Sequence, residues 1–199
     1  MKSTAIILGL FVGCATASAA IVLPPGATWN YTVTNPTGDS AWNTTTGVGG
    51  IWVSGSAPFS NHGSGDFSYT PSGTFWAADG SDGDDRWLRR TLDMTGFDIS
   101  TAAWDLGVDN GFKLYINGAL IASANAEGGT HRWEYTGGFG GFLTPGLNVL
   151  AVALEDHGGA TAFDMQVRAT PVVPEPSTWI AGLSLAVMAG SHLLRRRQV

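Results

Sequence analysis

Hydrophobic and polar residues alternate with a period of two along much of the chain between residues 28 and 169. In residues 112–116, for example, Phe112, Leu114 and Ile116 fall on one side, and Lys113 and Tyr115 fall on the other. This period is typical of β-strands with one buried face. No apolar stripe of useful length follows the helical spacing in this region. Strands of the same kind are predicted at residues 86–94, 104–108, 131–135 and 163–167.

Two further patterns indicate how these strands are connected and layered. Asn117-Gly118 is typical of a type I′ hairpin turn, whose two central residues need positive φ, and residues 119–122 form the returning arm. Residues 149–154 are apolar at both parities, which predicts a central strand covered on both faces. About nine short strands predict an all-β fold, a single β-sandwich or jelly roll over residues 20–170.

Composition and charge narrow the function classes. Hydrophobic residues make up 44% of the chain and charged residues 13%, and the eight Trp and nine Phe need a folded interior. The formal net charge is −6. Residues 21–173 hold 15 acidic and 6 basic residues, a net charge of −9. A nucleic-acid partner is therefore not expected.

Residues 1–19 have the order of features found in a secretory signal-peptide helix: Lys2, a short apolar run at residues 5–12, and Ala17-Ser18-Ala19. Signal peptidase would cut after Ala19. An alternative is lipidation of Cys14, because residues 11–14 loosely match a lipoprotein box. Cys14 is the only cysteine, so after a cut at Ala19 no disulfide and no cysteine-ligated metal can form.

The C-terminal residues 171–199 have three parts. Residues 171–176 contain three prolines and predict an extended linker. Residues 177–194 contain no Asp, Glu, Lys or Arg, and as a helix would be about 27 Å long, close to the hydrocarbon thickness of a bilayer. Arg195, Arg196 and Arg197 follow and would stop transfer on the cytoplasmic side, leaving the body of the chain outside. The alternative is an amphipathic helix packed on the domain.

This tail resembles the PEP-CTERM sorting signal. The resemblance lies in Val173, Pro174, Glu175 and Pro176, in the apolar run and in the terminal arginines. It implies a Gram-negative exported protein that the helix holds in the inner membrane with its domain on the periplasmic side. It also implies cleavage near Pro-Glu-Pro by exosortase, a membrane cysteine protease, with the product at the cell surface or outside the cell. Such systems often accompany exopolysaccharide production.

A series of short motifs lies at residues 29–31, 39–42, 52, 57–59, 84–93, 108–118, 145–152 and 155–156. In this order they resemble the galactose-binding-domain-like jelly roll, a fold found in carbohydrate-binding domains of many glycoside hydrolases. The resemblance implies a β-sandwich; many members of this fold bind sugars, and many bind something else or nothing known.

The sequence offers no catalytic constellation, and we do not expect an enzyme. His62, His131 and His157 lie in no nucleophile-elbow or zinc-protease pattern. The adjacent acids Asp84-Asp85 and Glu155-Asp156 would face opposite ways on a strand, so neither pair forms an acid/base couple by itself.

An acidic loop at residues 79–85 is the best metal candidate. Asp79, Asp82, Asp84 and Asp85 could supply oxygen ligands to a structural Ca²⁺, although the spacing is not that of an EF-hand. An ordinary solvated loop is the alternative. No other cofactor is expected.

A sugar-binding face needs exposed aromatic rings beside hydrogen-bonding side chains. His131, Arg132, Trp133 and Tyr135 provide such a set, with Trp133 and Tyr135 on one face of the predicted strand 131–135. The alternative is that these rings fill the core. The sequence thus predicts an exported, exosortase-processed protein whose domain binds carbohydrate or exopolysaccharide; a structural envelope protein without a glycan ligand and a hydrolase are the alternatives.

Overall fold

A computed structural model of the chain describes residues 17–61, 73–78, 84–125 and 133–172. The chain divides into two units, residues 19–171 and the two termini 1–18 and 172–199. The described part of the first unit contains twelve β-strands and no helix. The predicted all-β class is therefore confirmed for the described residues.

The twelve strands vary from two to thirteen residues in length. They are β1 (Ala20–Leu23), β2 (Thr28–Thr32), β3 (Val53–Ser56), β4 (Phe59–Ser60), β5 (Thr74–Phe75), β6 (Asp84–Asp93), β7 (Phe97–Asp109), β8 (Gly111–Ile116), β9 (Ala119–Asn125), β10 (Tyr135–Gly138), β11 (Leu147–Glu155) and β12 (Ala162–Pro171).

These strands form two six-stranded sheets. The first sheet has the order β10-β7-β12-β4-β5, with β1 also paired to β12, and the second has the order β3-β2-β6-β11-β8-β9. One buried cluster takes side chains from both sheets, for example Trp104 and Phe163 from the first and Leu88 and Leu114 from the second. Two sheets that enclose one core have the layering expected of a β-sandwich.

A second apolar layer covers the outer face of the second sheet. Trp42 and Trp52 come from the segment between β2 and β3, and they pack with Trp87 against Ala151 and Ala153. The central strand β11 is thus covered on both faces, as its sequence predicts. The reason is that the segment between β2 and β3 folds back over the sheet. Alternate residues of β11 therefore pack in the core between the sheets and against this segment.

The predicted hairpin is also present. Asn117 has φ of 50° and Gly118 has φ of 85°, between β8 and β9. The Asn117 side chain reinforces the turn, because its Oδ1 accepts a hydrogen bond from the Val149 amide at 2.9 Å. The adjacent strands are longer than the sequence predicts, since β9 continues to Asn125 and β7 begins at Phe97.

One strand begins later than expected. The predicted strand at residues 131–135 is replaced by β10, which starts at Tyr135, and Trp133 lies in a turn with φ of 65°. Trp133 and Tyr135 therefore do not share one face of a strand. His131, Arg132, the signal peptide apart from its last residues, and the predicted span at 177–194 lie outside the described residues. Among the residues that are described, none forms a helix suited to crossing a membrane.

Candidate functional site at the loop end of the domain

The strand register brings distant parts of the sequence to one end of the domain. In the second sheet Glu155 pairs with both Asp84 and Gly111, and Gly111 also pairs with Asn125. In the first sheet β7 ends at Asp109, opposite the first residue of β12. We call this end, where β6 and β8 begin and β7, β9 and β11 finish, the loop end. The described residues of the two sequence-predicted sites lie close to it: Asp84 and Asp85 begin β6, and Tyr135 begins β10 opposite Leu106.

Two of the four proposed calcium ligands contact other protein groups. Both Oδ atoms of Asp84 accept hydrogen bonds from the Lys113 ammonium, at 2.8 and 2.9 Å. This hydrogen bond raises the pKa of Lys113. Oδ2 of Asp85 accepts a hydrogen bond from the Asp156 amide at 2.5 Å. Asp79 and Asp82 lie outside the described residues, and the calcium site stays a prediction.

No cluster of three or more His, Cys, Asp or Glu side chains suited to a metal occurs in the described ranges. The acidic groups after β11 instead organise a turn. Oδ1 of Asn110 accepts a hydrogen bond from the His157 amide at 2.8 Å, and Oδ1 of Asp156 accepts one from the Gly158 amide at 2.9 Å. Nε2 of His157 lies 3.3 Å from Oε1 of Glu155. These contacts fix the path of the chain between β11 and β12.

The aromatic residues of the predicted sugar-binding set are half-buried. The ring of Tyr135 packs edge-on against Phe112, with 5.0 Å between the ring centroids, at the margin of the core. Burial raises the pKa of the Tyr135 hydroxyl, and the charge of Glu134 adds to this effect. Trp133 is half-buried in its turn. Since the Tyr135 ring packs on Phe112, part of its surface serves the core.

The structure adds a set of residues that the sequence does not single out, around Arg86. The Arg86 guanidinium carbon lies 5.2 Å from the ring centroid of Tyr31, 5.9 Å from that of Phe59 and 5.8 Å from that of Trp76. Its Nη1 donates a hydrogen bond to the Phe75 carbonyl at 3.1 Å. Burial lowers the pKa of Arg86 to about 10. We call Arg86 and these three rings the Arg86 cage.

The alternation of inward and outward residues along β6 contains a sequence signal for the Arg86 cage. Leu88 and Leu92 face the core between the sheets, whereas Trp87 faces the outer layer. Arg86 and Arg90 share the parity of the leucines, so both cations fall on the inward face of an amphipathic strand. A charged residue at an inward position is unusual and marks a place to examine.

No protein-family model matches the chain, and no curated protein matches it. Solved structures similar to it include three bacterial β-glucuronidases. The enzyme from an uncultured Clostridium species has a TM-score of 0.49 and 13% identity, over 81% of this chain and 30% of that one. The Ruminococcus gnavus enzyme in complex with uronic isofagomine has a TM-score of 0.49 and 14% identity, over 81% of this chain and 30% of that one. The Bifidobacterium dentium enzyme complexed with coumarin-3-O-glucuronide has a TM-score of 0.47 and 10% identity, over 79% of this chain and 31% of that one.

The chain thus spans about a third or less of the length of these enzymes. Similarity at this level identifies neither an activity nor a ligand for the chain.

Proposed function

We propose that the protein is an exported, non-enzymatic binding protein of the cell envelope or extracellular matrix. Its PEP-CTERM-like tail holds it in the membrane until exosortase releases it, and its jelly-roll domain binds carbohydrate or exopolysaccharide at the loop end. The tail proposal rests on Val173, Pro174, Glu175 and Pro176, followed by the apolar run and three arginines. The binding proposal rests on the geometry of the domain.

The direction of β12 is the observation that favours this function most. β12 starts at the loop end with Ala162, opposite Asp109, and finishes at Pro171, opposite Phe97. Ten strand residues span roughly 33 Å. Pro171, the last strand residue, therefore lies at the end of the domain opposite the loop end, so the end of this strand does not occupy the loop end.

The roles of the carboxylates favour binding over hydrolysis. Glycoside hydrolysis needs two carboxyl groups that face each other across a bound sugar. Here Oδ2 of Asp105 accepts hydrogen bonds from Gln166 and Arg168, and Asp164 accepts them from the Gly26 and Met165 amides. With the Asp84, Asp85 and Asp156 contacts described above, these acids hold strands, turns and cations in place.

The binding proposal is tested with the full chain purified in detergent on an array of bacterial polysaccharides. We expect binding to at least one polysaccharide, reduced by Trp133→Ala and unchanged by Val48→Ala, a matched change of an exposed residue on the outer-layer loop. Absence of any signal from a folded protein would contradict the proposal and favour the alternative of a structural envelope protein.

The sorting proposal is tested in a strain that contains an exosortase. Replacement of Pro174, Glu175 and Pro176 by alanine should keep the protein in the membrane fraction, because the protease reads the motif and the helix only anchors it. The parent protein in an exosortase-deleted strain should behave like the variant. Equal release of variant and parent into the medium would show that the tail is not read in this way.

A further inference from the structure

Arg86 is a buried cation with an incomplete set of polar partners. Only 6% of its surface is exposed. A guanidinium carries five N–H donors, and in the described structure one hydrogen bond, from Nη1 to the Phe75 carbonyl, is made. Its Nε is buried without an acceptor among the described residues. Buried charges in proteins are normally paired or serve a function.

The neighbouring arginine on β6 makes more hydrogen bonds than Arg86 does. Arg89 is equally buried and its Nε also has no acceptor among the described residues, but its terminal nitrogens donate to the Trp42 carbonyl, the Thr45 hydroxyl and the Gly47 carbonyl. Arg168 and Lys113 are each paired with an aspartate. Arg86 forms no ion pair with a described residue, although the charge of the adjacent Asp85, whose carboxylate accepts a hydrogen bond from the Asp156 amide, acts on it.

The Arg86 cage lies where the edges of the two sheets meet. β3 is one edge strand of the second sheet, and β5 is one edge strand of the first. Thr74 joins them, because its Oγ1 donates to the Ser56 carbonyl at 2.9 Å. Gly55 leaves the room for this contact: a Cβ there would lie 2.5 Å from Thr74 Oγ1 and 2.7 Å from Tyr31 Cε1. Of the three rings in the cage, Tyr31 is half-buried, whereas Phe59 and Trp76 are fully buried.

We propose that Arg86 binds the carboxylate of an acidic sugar, a uronic acid, which enters along Tyr31. The planar guanidinium matches a carboxylate through two parallel hydrogen bonds, and Nε with one terminal nitrogen forms such a fork. The ring of Tyr31 offers an apolar surface for the face of the sugar.

A carboxylate fits this environment better than a phosphate group does. Three aromatic rings surround the cation, and the body of the chain carries a net charge of −9 over residues 21–173. Desolvation of a doubly charged anion costs far more than desolvation of a single charge. The sugar part of this proposal rests on the proposed function, whereas the anion part rests on Arg86 alone.

The test is calorimetric titration of the full chain with sodium glucuronate and with glucose, its neutral counterpart. Glucuronate should bind at least tenfold more tightly than glucose. Arg86→Met should remove that preference, and Arg86→Lys should keep part of it. Arg90→Met is the matched control on the same strand face, where Arg90 lies 5.5 Å from the Trp29 ring and donates to the Thr28 carbonyl. It should leave the preference unchanged.

A second measurement needs no variant. In the ¹⁵N-labelled parent protein, the Arg86 Nε–H resonance should shift on addition of glucuronate and stay in place with glucose. Equal binding of glucuronate and glucose, or an unmoved Nε–H resonance at saturation, overturns the proposal. Acetate binding as tightly as glucuronate overturns its sugar part. Retained polysaccharide binding by Arg86→Met in the array would leave the proposed function standing while the Arg86 assignment fails.

Discussion

Gly137 on β10 lies opposite Trp104 on β7, and its lack of a side chain leaves room for the indole ring. A Cβ at Gly137 would lie 2.6 Å from Cζ2 and 2.9 Å from Cε2 of Trp104. The ring has little freedom to move away. Trp104 is 5% exposed, packs edge-on against Phe112, and donates from Nε1 to the Gly138 carbonyl at 3.1 Å.

Gly137→Ala should therefore destabilise the domain through overpacking, which costs about 1–3 kcal/mol in a well-packed core. The loss of unfolded-state entropy on replacing Gly by Ala offsets ~0.4–1 kcal/mol of this. The net loss is about 0–2.6 kcal/mol in the free energy of unfolding. For a domain of this size each kcal/mol corresponds to roughly 2–4 °C in Tm. Denaturant and thermal unfolding followed by tryptophan fluorescence measure both quantities.

The next residue supplies a matched control. A Cβ at Gly138 would meet only the Ala102 carbonyl oxygen at 3.7 Å, an ordinary contact. Gly138→Ala should be neutral or stabilising by up to ~1 kcal/mol. Trp104→Phe removes the part of the indole that would collide, so Gly137→Ala should cost less in that background. Equal stabilities of the two alanine variants would refute the steric argument.

Three other outcomes are expected. Gly118→Val should cost ~1–3 kcal/mol, because φ of +85° strains a β-branched residue and its Cβ would lie 2.7 Å from Thr44 Cγ2; an unchanged Tm would count against it. Lys113→Met should cost up to ~1 kcal/mol near pH 7, measured by urea unfolding. Because the pKa of Lys113 is raised in the folded state, its contribution to stability is full below the unfolded pKa of about 10.4 and is lost as the pH rises through the folded value. A stability difference between parent and variant that stays constant from pH 8 to 12 would contradict this. Chelation of Ca²⁺ at matched ionic strength should leave Tm unchanged, since Asp84 and Asp85 already bind protein groups, and a fall of several degrees abolished by Asp82→Ala would establish the metal site.

Sequence reasoning succeeded where one local rule decides the structure. The hairpin followed from Asn117-Gly118, because few residues tolerate two successive positive φ values. The double burial of β11 followed from apolar residues at both parities, although the covering layer of Trp42 and Trp52 comes from a loop about 100 residues earlier in the chain. The start of β10 was wrong because a backbone turn at Trp133 with positive φ has no signature in an aromatic side chain.

The candidate site was only partly predictable, since it depends on contacts between distant strands. The Arg86 cage joins β2, β4, the residue after β5, and β6, and no local pattern relates Tyr31 or Trp76 to Arg86. The fold also brings Lys113 to Asp84, an ion pair between two strands that no local sequence pattern shows. Parity could have shown that Arg86 faces inward, but not that its partners are aromatic rings.

Arg86 and Arg89 allow a last comparison, between a cation proposed to bind a ligand and one that holds a loop on the sheet. A buried cation that lacks a full set of partners weakens a fold, and apolar replacement of such a group is often neutral or stabilising. Arg86→Met should therefore leave the free energy of unfolding unchanged or raise it while it removes glucuronate binding, the trade between stability and function expected at a binding site. Arg89→Met removes the donors to two carbonyls and one hydroxyl and the contact with the Trp52 ring at 3.8 Å, so it should cost ~1–3 kcal/mol. Chemical denaturation of both variants without ligand measures the two stabilities. If Arg86→Met is destabilised as strongly as Arg89→Met, the cation–π contacts of Arg86 stabilise the fold, and no ligand is needed to explain its burial.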